Sequence, residues 1–139
     1  MNKIKPSNRR KAREFIIQAL YQRQLTHDTE AILKEQFMSK FNPKKVDLEY
    51  FSDILQGVIN NTETIDEILV PVLDRKLKNL NLVENAVLHM ATYELVYRQD
   101  VPPKVIINEA LELTKTFGSI DGYKYVNGVL DTLAKKMRN

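Results

Sequence analysis

The stretch VPPKVIINEALELTKTFGSIDGYKYVNGVLD, residues 101–131, decides how the rest of the chain is read. It divides into two short helices that face one another across a polar junction carrying aromatic rings. Pro102 and Pro103 open the first, where a helix can begin without losing a backbone donor that it needs. Ile106, Ala110, Leu113 and Phe117 then recur at the three-four spacing of one buried face. Gly118 stands where a helix commonly ends on a left-handed residue. A second stripe, Tyr125, Val126, Val129, Leu130 and Leu133, starts only after Asp121 and Gly122. Between the stripes, Phe117, Asp121, Tyr123, Lys124 and Tyr125 bring rings, a carboxylate and an amine to one helix junction, more than packing alone requires.

The same helical period runs through the remainder of the chain. A first helix starts near Ser7, a capping type, and places Ala12, Ile16, Ala19 and Leu20 on one face. A second, 29–40, carries Ile32, Leu33, Phe37 and Met38 before Asn42-Pro43 breaks it. A third begins at Asp47 and buries Leu48, Phe51, Leu55, Val58 and Ile59. Asn61 or Thr62 caps a fourth through Ile65, Ile68, Leu69 and Leu73, which Pro71 kinks or shortens. The fifth, 82–98, is the most apolar, with Val83, Val87, Met90, Ala91 and Leu95 in register, and reads as the central core helix. With 139 residues, four glycines, five prolines and no segment of alternating polarity, the expectation is an all-α, single-domain bundle of about seven helices spanning 1–139. Fraying is expected only over residues 1–6 and the last few.

Composition excludes several functions. There is no cysteine, which removes disulfides, thiolate metal sites and cysteine nucleophiles. No apolar run approaches a membrane span and no signal-peptide core follows the first basic residues; a cytoplasmic, soluble protein is expected. His27 and His89 lack a second ligand at metal-site spacing, and no phosphate loop, HExxH or GxSxG motif occurs. No catalytic residue, metal or cofactor is nominated.

Charge is unevenly divided. Residues 1–24 hold seven bases and one acid, a net +6, while the remainder holds 14 bases against 17 acids, a net −3. Arg9, Arg10, Lys11 and Arg13 fall in the first turns of a helix, where the macrodipole disfavours cations. Stability does not explain that placement, whereas phosphate binding does; a solvated basic helix end is the plain alternative. Tyr21 lies beyond Arg13 and reads as outward on the same side. With Phe117 and Tyr125 it offers rings on which unstacked bases could rest, although each ring alone also reads as core. Asp121 is expected to cap the seventh helix and could accept from a base amino group. Glu94, Asn108, Glu109 and Asn127, polar residues within or beside apolar stripes, read as cross-links or caps. Residues 26–70 carry nine acids against four lysines, a solvated face or a surface for a basic protein.

Three segments, RRKAREFIIQALYQ at 9–22, VENAVLHMATYEL at 83–95, and VPPKVIINEALELTKTFG followed by YVNGVLD, resemble the NusB family of bacterial transcription antitermination factors. The resemblance runs over nearly the whole chain and is thinnest over 26–50. It implies a helical, non-enzymatic RNA-binding protein without cofactors. Such a protein pairs with the ribosomal protein NusE, binds single-stranded boxA RNA in ribosomal RNA leader transcripts, and joins the RNA polymerase antitermination complex. By motif position, the resemblance points to Arg9, Arg10, Arg13, Tyr21, Phe117, Asp121 and Tyr125 for RNA, and to Glu84 and Arg75 for the protein partner. Three features depart from the family pattern: the segment KLKNLNL at 76–82, Tyr125 where phenylalanine is common, and His89 where arginine is often found. NusB-like domains also begin certain RNA cytosine methyltransferases, so an N-terminal RNA-binding fragment of such an enzyme is one alternative, although these 139 residues hold no nucleotide-cofactor domain. A protein–protein adaptor without direct RNA contact is the other alternative.

Overall fold

The computed structural model describes residues 5–138. Seven α-helices follow one another: α1 Pro6–Thr26, α2 Glu30–Met38, α3 Leu48–Asn60, α4 Thr62–Leu69, α5 Leu82–Tyr97, α6 Pro103–Phe117 and α7 Ile120–Met137. Two short 3₁₀ turns, Val70–Val72 and Leu77–Asn79, connect α4 to α5. No strand occurs among the described residues, so the fold class is all-α, as the periodicity predicts.

The center of the bundle is α5. Every residue from Ala86 to Leu95 is buried, because α1, α3, α4, α6 and α7 all pack against it. A helix surrounded in this way needs apolar residues on all sides, and its sequence supplies them. Its start is fixed by a capping box: Asn81 accepts from the Glu84 backbone N–H, and the Glu84 carboxylate accepts from that of Asn81. On the opposite flank, α3 approaches closely through Gly57, where a Cβ would run into the Tyr93 ring.

Most caps match the residue chemistry. Thr29 accepts from Ile32 N and Asp47 from Tyr50 N. Several expected boundaries move. The first helix starts at Pro6, with Lys5 preceding it and no side-chain cap from Ser7, because proline at the first position needs no donor satisfied. Ser119, not Asp121, caps α7 by accepting from Gly122 N at 3.0 Å. Gly118 has φ −120° and is not left-handed; the left-handed cap belongs to His27, φ 59°, at the end of α1. The second helix stops at Met38, two residues early. The fourth stops at Leu69, and Pro71 sits in the 3₁₀ turn that follows, leaving Leu73 outside the helix. Of the segment expected to fray, residues 1–4 lie outside the described residues and Pro6 is already helical. At the other end, Arg138 is tied down: its guanidinium donates to the carbonyls of Glu94, Leu95, Arg98 and Val101.

Candidate nucleic-acid interface

Arg9, Arg10 and Arg13 of α1 meet carboxylates from three other parts of the fold. Arg9 Nε lies 3.6 Å from Asp47, at the start of α3. Arg10 reaches Glu109 of α6, and Arg13 reaches Glu94 of α5 with Nε–Oε1 at 3.1 Å and Nη2–Oε2 at 2.8 Å. Tyr50 is the hub of the cluster. Its hydroxyl donates to Glu94 and accepts from Arg13 Nη2, while Arg9, Arg13 and Arg98 stand 4.1, 5.1 and 4.7 Å from its ring center. Arg98 is held in turn by Asp53 and Asp100, and its hydrogen bonds draw Asp100 down to about 2. Burial pushes the Tyr50 phenol up, with Glu94 adding to the shift. For Arg13, burial opposes the charge, but Glu94 outweighs it and the guanidinium pKa rises.

This geometry corrects two readings. Arg13 does not face outward beside Tyr21: its side chain is 3% exposed, against 21% for Arg9 and 60% for Arg10. The cations at the helix start also have a structural reason, since each is answered by a carboxylate that offsets the unfavourable dipole. Glu94 and Glu109 are indeed inter-helix cross-links. Asn108 and Asn127 are exposed and cross-link nothing buried.

The expected rings separate. Tyr21 and Phe117, 39% and 40% exposed, come together in an apolar groove of about 580 Å³ with Ile17, Leu25, Phe37 and Val83. Tyr125 turns elsewhere, its ring lying 3.9 Å beneath the guanidinium of Arg75. Burial, then Asp74, pushes its phenol up. Next to this stack Glu84 is 7% exposed, and α7 rests on it through Gly122, where a Cβ would come within 3.0 Å of the carboxylate. Arg75, Glu84 and Tyr125 thus share the α5–α7 end of the molecule, while Asp121 is exposed in the first turn of α7. An acid there is favoured by the dipole without a capping bond.

Tyr123 belongs to the ring-bearing junction of the sequence but not to the residues expected to meet RNA. It lines a cleft of about 440 Å³ with Arg10, Arg13, Asn108 and Glu109, and Lys115 Nζ stands 5.0 Å from it. Residues two apart on a helix point to nearly opposite sides, so Tyr123 and Tyr125 cannot serve one surface. His89 bridges helices, with Nε2 2.6 Å from Asp66 of α4. The KLKNLNL departure forms the second 3₁₀ turn and buries Leu80. Among the described residues no helix is long and apolar enough to cross a membrane.

The NusB family model matches residues 10–135. The transcription antitermination protein NusB of Alcanivorax borkumensis is 50% identical over 137 residues, covering 99% of this chain and 91% of that protein. That of Serratia proteamaculans is 50% identical over 135 residues, covering 97% and 98%. Among solved structures, T. maritima NusB superposes with a TM-score of 0.85 at 32% identity, covering 99% of this chain and 96% of that one. A crystal structure of antitermination factors NusB and NusE in complex with dsRNA gives 0.83 at 24% identity, covering 95% and 99%.

Proposed function

The chain belongs to the NusB family, a non-enzymatic family of transcription antitermination factors, and on that premise we propose that it binds single-stranded, boxA-type RNA of ribosomal RNA leader transcripts jointly with NusE and helps couple it to elongating RNA polymerase. One observation carries the reading: α1 presents Arg10 near its start and Tyr21 eleven residues later, the latter paired with Phe117 in an open apolar groove. At about 1.5 Å per residue the two are roughly 16 Å apart along one helix, which suits a strand laid lengthwise.

In this arrangement Arg10, with Arg9 behind it, neutralises phosphates and makes the affinity salt-sensitive. Tyr21 and Phe117 stack on unpaired bases, and Asp121 accepts from a base amino group. Arg13 contributes by holding α1 in place rather than by touching RNA. Tyr125, locked under Arg75 and close to Glu84, belongs to the edge of the RNA site that adjoins the NusE surface. If both ligands bind adjacent surfaces, each raises the affinity of the other by the same factor.

A duplex ligand is the second reading, favoured by the dsRNA in the NusB–NusE complex that the fold resembles. Fluorescence titrations with a boxA-like strand, a scrambled strand and a duplex, each with and without NusE, separate the two. We expect the boxA-like strand to bind tightest, NusE to tighten it, and Arg10→Glu to weaken it. Equal affinity for boxA-like and scrambled strands in the presence of NusE sinks the proposal. RNA binding untouched by Arg10→Glu favours an adaptor without direct RNA contact through α1.

A further inference from the structure

Arg10 is the most exposed arginine of the α1 cluster, yet one edge of its guanidinium is already taken. Nε donates to Glu109 Oε1 at 3.0 Å and Nη2 donates to Oε2 at 3.1 Å. This two-point, side-on fork is the geometry arginine uses for a phosphate. Glu109 therefore stands where a phosphate oxygen pair would.

Glu109 is also placed to stay there. It projects from α6 with its side chain 12% exposed, and Arg13 Nη1 lies 3.7 Å from the same carboxylate. Arg13 does not depend on it, being held at two points by Glu94 and again by Tyr50. Removing the charge of Glu109 would leave the buried pair intact and alter chiefly Arg10. The cleft that Arg10 and Glu109 line holds two further acids, Glu14, paired with Lys11 at 3.0 Å, and Glu112, 63% exposed and partly answered by Lys115.

We infer that Glu109 is an affinity-setting residue of the RNA site, a built-in competitor that RNA must displace to engage Arg10 fully. The inference rests on the RNA reading of Arg10 above. It predicts a gain of function, which a merely structural ion pair does not give.

The test is RNA titration across a salt series with the full chain, using boxA-like and scrambled strands. Glu109→Gln keeps the shape and an acceptor for Arg10 while removing the charge; Glu109→Ala repeats the test without the amide, and thermal melts verify that both fold. Each should bind both strands several-fold more tightly, with the salt slope steeper by about 0.7, one further phosphate on a single strand. In an Arg10→Ala background the gain should disappear. Unchanged or weaker binding by both Glu109 variants overturns the inference, as does a gain that survives without Arg10. If Arg10→Ala alone leaves RNA binding unaltered, the RNA reading of Arg10 fails instead, a separate result.

Discussion

Glu94 is the residue on which the arginine cluster balances. Its side chain is 1% exposed in the last turn of α5, and both oxygens are engaged by Arg13, one of them also by the Tyr50 hydroxyl. A buried ion pair repays its desolvation only while both members remain, and removing one leaves an uncompensated charge. Glu94→Gln should therefore cost about 3–5 kcal/mol, read as a lower urea midpoint. Arg13→Met combined with Glu94→Leu should cost much less, because no charge is then stranded. A Glu94→Gln protein as stable as the parent would show that the pair is not what anchors α1. The pairing leaves a trace in the sequence. Arg13, Ile17 and Leu20 lie at i, i+4 and i+7, on the buried face, and Glu94 interrupts the most apolar run in the chain. Opposite charges in register with two buried stripes are the signal; stripe-reading that counts only apolar residues passes over it.

At the scale of elements, the helices were legible because their stripes are long and their caps chemically distinct. Asp47 and Thr29 do what their side chains suggest. Asp121, the expected cap of α7, gives way to Ser119: both are capping types two residues apart, and only the path of the chain selects one. Helix contacts were less legible, since they depend on facing residues from distant segments. Gly57 shows why. In the sequence it is a glycine inside a helix, a mild cost, but in the fold it lets α3 pass directly under the Tyr93 ring. Gly57→Ala should displace that ring, its stack with Tyr97 at 4.8 Å, and the α3–α5 contact. We expect a loss of about 1–3 kcal/mol, the range for overpacking, measured by denaturant unfolding. Combining Gly57→Ala with Tyr93→Leu should recover part of it. A neutral Gly57→Ala would mean that α3 and α5 shift apart freely. The same dependence on distant segments hid the parting of Tyr123 from Tyr125, which only the packing of α7 reveals.

On the scale of the molecule, three of the seven bases in the first 24 residues are tied into long-range cross-links: Arg9 to Asp47, Arg13 to Glu94, Arg10 to Glu109. The latter two join positions 81 and 99 residues apart. That separation governs when the surface can exist. Contacts so distant in sequence form late, after the chain between them has been gathered. In pulse-labelled refolding, the amides of 9–17 should gain protection no earlier than those of 86–95; protection of α1 ahead of α5 would contradict this. During synthesis the consequence is sharper. A ribosome delivers α1 first, but Glu94 and Glu109 are joined to the chain only some eighty to a hundred residues afterwards. Until then its arginines have neither their carboxylates nor their fixed spacing. The helix that is made first waits for its last partners, so a growing chain cannot offer the completed arginine cluster to RNA before α6 has emerged.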